Sequence, residues 1–216
     1  MEIPTNWTFK NKGVAKEFDT HVRESLPWYD LVSGAVAHTV RHYLPENGVM
    51  YDIGASTGNI GKLLDESLTA RKAKLISIEN AAEMAEHFEA QGTLEIADCT
   101  TYDYQPFDVA TIFLVLMFLT MEQRQNLIAN LIAKCNKGGA IIIVDKIETK
   151  ANYIGTINRR LTLAGKVATG VSPEQIIAKE LSLAGIQRPL QANELPDIAE
   201  QFFRFGEFAG WIIEKH

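Results

Sequence analysis

The chain has 216 residues, 46% hydrophobic and 22% charged, which suits one globular domain able to bury a full α/β core. A formal net charge of −6 and a pI near 5.4 argue against a broad cationic footprint, so extended nucleic-acid binding is not expected. Two cysteines, Cys99 and Cys135, show neither CxxC nor metal-ligand spacing; they predict reduced buried thiols, no metal and a cytoplasmic location.

Met1 to Lys12 has no apolar core of the secretory kind. The longest apolar run, Val109 to Leu119, is eleven residues broken by Thr111, about half a membrane span, so no membrane partner is expected. Lys12–Ser25 carries Val14, Phe18 and Val22 at four-residue spacing, a helix with one apolar stripe. Leu26-Pro27 breaks it. Trp28–Tyr43 reads as a second helix, ended by Pro45 and Gly48.

An alternation follows. Strands are expected at Val49–Ile53, Lys74–Ile78, Thr93–Ile96, Asp108–Leu114 and Ala140–Val144. Helices are expected at Asn59–Leu68, Ala81–Gln91 and Met121–Cys135, with a turn over Asn136–Gly139. Strands separated by helices imply right-handed βαβ units and a parallel sheet. The runs are continuously apolar, as in strands covered on both faces. Past Asp145 the rhythm changes. Asn152–Ala168 reads as a helix, and Ser172-Pro173-Glu174-Gln175 is a capping box opening a helix to about Leu183. Gln201–Glu214 reads as two β segments bent at Gly206. No repeat or low-complexity tract interrupts the chain.

The stretch VMYDIGASTGNIG puts an acid, Asp52, at the end of a strand, followed by Gly54, Gly58 and Gly61 before a helix. That is the context of a nucleotide or related cofactor turn, where glycine allows a tight bend and close approach of the backbone. Ser56 stands in the middle slot of the dinucleotide pattern, and no Gly-Lys-Ser/Thr follows, which excludes a P-loop. Glu79 ends the second expected strand, 25 positions after Gly54, where an acid can accept from both ribose hydroxyls. Asp98 follows the third, where an acid can accept from an adenine amino group. Three acids in this layout match S-adenosylmethionine (SAM) binding, and SAM has no pyrophosphate to cradle.

On these motifs the chain resembles the class I SAM-dependent methyltransferases. Within them it is similar to the carboxy-S-adenosyl-L-methionine synthases and closely related methyltransferases. The likeness runs from Trp7 to Lys215 and is carried by WTFKNKGVAKEFDTHVRESLPWYD, YDIGASTG, FLTMEQRQNLIANLIAKCNKGGAIIIVDK, SPEQIIAKELSLAGI and FFRFGEFAGWIIEK. The resemblance implies a Rossmann-like α/β fold: a mostly parallel seven-stranded sheet, a C-terminal antiparallel hairpin and an N-terminal helical cap. It implies one SAM-binding domain over 1–216, with the cap at 1–45, the cofactor-binding core at 46–150, and substrate-side helices and hairpin at 151–216. It implies SAM as cofactor, a homodimer, and a cofactor site made of Tyr29, Asp52, Gly54, Ala55, Ser56, Gly58, Glu79, Asn80, Asp98, Cys99 and Phe113. The synthases have cysteine at Ala55, aspartate at Glu79, asparagine at Phe113, and, at Glu180, an arginine that pairs with the cofactor's carboxylate. An acid at Glu180 would repel that group.

Methyl transfer from a sulfonium is an in-line displacement needing position more than a strong catalytic group. Candidate catalytic residues are His21, Arg23, Arg160 and Lys179. No Asn/Asp-Pro-Pro-aromatic motif and no Pro-Cys pair occurs, which argues against amino-group methylation of DNA bases and against cysteine-based attack on a pyrimidine ring. The leading expectation is a methyltransferase acting on a small or localised acceptor. The alternatives are a carboxy-SAM synthase using SAM and prephenate, and a non-catalytic SAM-binding module.

Overall fold

A computed structural model describes residues 3–191 and 193–216. The opening segment leads into helices α1 (Lys12–Ser25) and α2 (Tyr29–Tyr43). Asn11 caps α1 by accepting from the amides of Gly13 and Val14 at 2.8 and 3.2 Å. The alternating core follows: β1 (Val49–Ile53), α3 (Asn59–Lys62), α4 (Asp65–Arg71), β2 (Lys74–Glu79), α5 (Ala82–Ala85), β3 (Thr93–Ile96), β4 (Phe107–Phe113), α6 (Met121–Lys134) and β5 (Cys135–Lys146). Helices α7 (Tyr153–Ala168) and α8 (Pro173–Ser182) and strands β6 (Ala199–Phe205) and β7 (Phe208–Glu214) complete the chain.

Among the described residues the strands form one seven-stranded sheet in the order β3-β2-β1-β4-β5-β7-β6. The first five are parallel, and β7 runs antiparallel to β5 and β6. One face packs Met50, Val109, Ile142 and Val144 against Val32, Val36 and Val40 of α2. The other packs Tyr51, Ile112, Ile141 and Ile143 against Leu127, Ile128 and Leu131 of α6. Burial on both faces explains the continuously apolar strands. Phe203 and Phe208 stack on Trp28 at 5.2 and 4.9 Å, so the C-terminal aromatics pack the hairpin onto the cap.

Three elements differ from the sequence-based reading. The helix expected over Asn59–Leu68 is two short helices. Gly61 is a poor helix former, and the Arg41 guanidinium draws off the Leu63 carbonyl at 2.8 Å. The helix expected over Ala81–Gln91 stops after Ala85, because the chain turns so that the Glu89 amide bonds Thr57 O in the glycine turn at 3.1 Å. The expected Asn136–Gly139 turn lies inside β5: the register jumps between Phe107/Cys135 and Val109/Ala140, and Gly138 takes φ +79°. The remaining helices and strands fall within a few residues of expectation, and both capping residues of α8, Ser172 and Gln175, bond reciprocally.

Candidate active site

The strand order reverses between β1 and β4, and in open parallel sheets ligands bind at that crevice, outside the carboxyl ends of the strands. A cavity of about 240 Å³ opens there, roofed by α1 and α8.

The glycine turn forms its floor. Gly54 and Ala55 amides both bond Ile78 O, at 2.8 and 3.0 Å, which folds the turn back over β2. Gly54 has φ +68°, and a Cβ there would stand 2.4 Å from Val115 Cγ2. Gly54 therefore combines a left-handed backbone with a close approach. Asp52 is buried; its Oδ1 accepts from the Thr111 hydroxyl at 2.7 Å, while Oδ2 and the nearby Ser56 Oγ are buried with no hydrogen-bond partner. Desolvation, only partly offset by Thr111, pushes the Asp52 carboxyl up to about 6. Glu79 is also buried. Its oxygens accept the Ser56 and Ala81 amides, each at 2.9 Å. Burial raises its pKa.

Of the expected cofactor residues, Tyr29, Asp52, Gly54, Ala55, Ser56, Glu79, Asn80, Cys99 and Phe113 line this one cavity. Phe113 meets Tyr29 edge-on at 5.5 Å. Gly58 and Asp98 do not line it. Gly58 bonds Ala55 O at 2.8 Å and shapes the turn. Asp98 is exposed, and its carboxylate accepts from the amide and hydroxyl of Thr100 at 2.8 and 2.7 Å.

The catalytic candidates divide in the same way. His21 and Lys179 line the cavity. They lie against Trp7, whose ring is 5.5 Å from the His21 ring and covered by Lys179. Burial, helped by Lys179, pushes His21 down to about 4. Burial and Lys166 push Lys179 to about 5, overriding the attraction of the indole face for a cation. Arg23 stays outside. It bonds Asp30 at 2.9 Å, Asp19 O at 2.9 Å and Asn59 Oδ1 at 3.1 Å, and so ties α1 to the turn. Arg160 is exposed on α7, away from the cavity.

Sequence reasoning missed Lys146 and Lys166, which enter the cavity from β5 and α7 with side chains only 10% and 11% exposed. Both reach Glu180, at 3.9 and 3.3 Å. Desolvation raises the Glu180 carboxyl, but the two lysines outweigh it and hold the group below its ordinary value. The expected repulsion of an anion by Glu180 is thus neutralised. No spacing in the sequence links positions 146, 166 and 180, so no local pattern could have joined them.

Seven strands in this order, with a cofactor-type turn and flanking acids at the switch point, define a class I SAM-dependent methyltransferase fold. Solved structures agree on the fold. The plantazolicin methyltransferase complexed with SAH superposes with a TM-score of 0.63 at 12% identity, covering 95% of this chain and 90% of that one. The magnesium protoporphyrin IX methyltransferase of Synechocystis PCC 6803 superposes at 0.54 and 14% identity, over 90% and 84%. Carboxy-S-adenosyl-L-methionine synthase of Staphylococcus epidermidis is 30% identical over 98% of both chains, and that of Shewanella baltica is 26% identical over 86% of this chain and 79% of its own. The chain belongs to the carboxy-S-adenosyl-L-methionine synthase family. No protein-family model matches it. Among the described residues no helix is long and apolar enough to cross a membrane, and no group of three metal-ligating side chains occurs.

Proposed function

We propose that the chain binds SAM in this cavity and transfers its methyl group to a small acceptor admitted between α1, α7 and α8. The observation that carries the reading is the pair of buried, unpartnered oxygens, Asp52 Oδ2 and Ser56 Oγ, beside a turn whose backbone can approach a ligand. An unsatisfied buried carboxylate oxygen is costly, and a cationic ligand with donor groups relieves it. In this reading Asp52, Gly54, Ala55 and Ser56 take the methionine half. Glu79 and Asn80 take the ribose, and Cys99, Phe113 and Tyr29 enclose the adenine side. Asp98 reaches the adenine only by turning away from Thr100, and Gly58 acts through the shape of the turn.

SAM supplies an electrophilic methyl group on a sulfonium. The chain's own contribution is to orient the acceptor and exclude water, for which Trp7, Phe9, Phe18 and Phe118 form an apolar roof. Calorimetry with SAM, followed by turnover to S-adenosylhomocysteine across acidic and neutral acceptors, tests this. Absence of SAM binding would remove it.

Family membership, together with Lys146 and Lys166 neutralising Glu180, favours a second reading: carboxy-SAM synthase action on SAM and prephenate. Mass spectrometry after incubation with both compounds separates the two. A carboxylated cofactor selects the synthase, and S-adenosylhomocysteine without it selects the methyltransferase. The free thiols Cys99 and Cys135 support a cytoplasmic location. The open edge of β6 and exposed Tyr153, Ile154, Ile157 and Leu161 on α7 support the homodimer, which light scattering checks.

A further inference from the structure

His38 and His42 stand one turn apart on α2, both exposed, and their rings meet edge-on with centroids 4.8 Å apart. Residues four apart share one helix face. The opposite face fixes their spacing, because Val36, Ala37 and Val40 are buried in the core. The two Nε2 atoms face each other at 3.2 Å. That separation is the bite of a single metal ion. Two imidazole nitrogens, each about 2.0–2.1 Å from a common centre and 3.2 Å from each other, subtend about 100° there, between square-planar and tetrahedral. Arg41, the cation next in sequence, is turned away: its guanidinium bonds Ser67 Oγ at 3.0 Å and Leu63 O at 2.8 Å. Neither histidine lines the cavity, so neither reading of the cavity uses the pair. A hydrogen bond between two exposed rings gains little over water.

We propose that His38 and His42 form a two-imidazole site for a divalent transition-metal ion of the zinc or nickel kind. Neutral imidazole is a ligand of choice for these ions. Among the described residues no carboxylate joins the pair to make a group of three, so the site does not suit Mg²⁺ or Ca²⁺. Two protein ligands leave the other coordination positions to water, and the ion exchanges freely at the surface. Because the ligands come from successive turns, the ion staples the C-terminal half of α2. The inference depends on neither SAM binding nor the reaction in the cavity.

The test is calorimetric titration of the full, metal-free chain with Zn²⁺ and, separately, Ni²⁺. One ion per chain should bind. His38→Ala and His42→Ala should each weaken it about tenfold or more, since either change leaves a single imidazole. His87→Ala and His216→Ala, at the other exposed histidines, should leave the affinity unchanged, and Mg²⁺ should not bind. Saturating Zn²⁺ should slow amide exchange in the C-terminal half of Tyr29–Tyr43 in the wild type but not in the His38→Ala/His42→Ala double variant. Thermal melts without metal establish that the variants fold. A folded wild-type chain that takes up neither ion overturns the proposal. So does binding that survives the double variant, or that is lost with His87 or His216 instead. Binding at the pair without slower exchange in α2 overturns the staple.

Discussion

Asp52 and Thr111 join β1 to β4 through a 2.7 Å hydrogen bond that uses one carboxylate oxygen and leaves the other bare at the crevice where the strand order reverses. Because burial lifts the Asp52 carboxyl to about 6, its charge is not secure in the empty site. A cationic ligand favours the ionised form, so SAM affinity should rise with pH from 5 to 7 and level off above. Asp52→Asn should weaken binding about tenfold or more and flatten this dependence. The same shift sets the opposite sign for stability. The folded pKa lies above the unfolded value, so the contribution of Asp52 is fully present below about pH 4 and is lost as pH rises through 6. Calorimetry over pH 5 to 8 and urea melts over pH 4 to 7 measure the two effects.

Gly54→Ala should cost about 1–3 kcal/mol and abolish SAM binding, since the new Cβ meets a positive φ and the Val115 side chain at 2.4 Å. Adding Val115→Ala should recover part of the stability by removing the steric conflict but not the backbone strain. Equal melts for single and double variants would contradict this.

Arg124 has no exposed side-chain surface and donates to both oxygens of Glu194, at 3.0 and 2.9 Å. Its Nε bonds Leu116 O and Leu119 O at 2.7 and 3.1 Å. It therefore clamps the cavity wall after β4 to the segment before β6. Glu194→Gln should destabilise the fold by about 3–5 kcal/mol, because it leaves a buried charge uncompensated. The midpoint of chemical denaturation reads this directly.

Thr57 donates to Asp19 at 2.7 Å, a polar latch between the glycine turn and α1. Thr57→Val should cost about 1 kcal/mol and speed amide exchange across Lys12–Ser25, leaving exchange in β1 and β4 unchanged. Exchange that stays slow in α1 would mean that the apolar contacts of Val14 and Val22 hold the cap without the latch.

The parallel core was legible because its signals are local. Val49–Ile53 and Thr93–Ile96 are strands between the same residues that their apolar runs marked, and α8 begins at its capping box. The α5 region was misread because its helical spacing is genuine, yet the bond from the Glu89 amide to Thr57 O pulls the chain away. Four residues that line the cavity at the glycine turn were legible for the same reason. Asp52, Gly54, Ser56 and Glu79 each stand at a strand end, and a strand end is visible in the chain.

Residue order alone determined a parallel α/β sheet with a glycine turn after β1, since strand runs, glycines and caps act over a few neighbouring residues. Only the tertiary structure decided the basic end of the cavity. Lys146, Lys166, Lys179 and Glu180 come from β5, α7 and α8, and their charges act through space across one cavity, at distances that sequence separation does not encode. The same long-range packing kept Arg23 and Arg160 out of the cavity and set Lys179 against Trp7, where burial pushes its amine down to about 5.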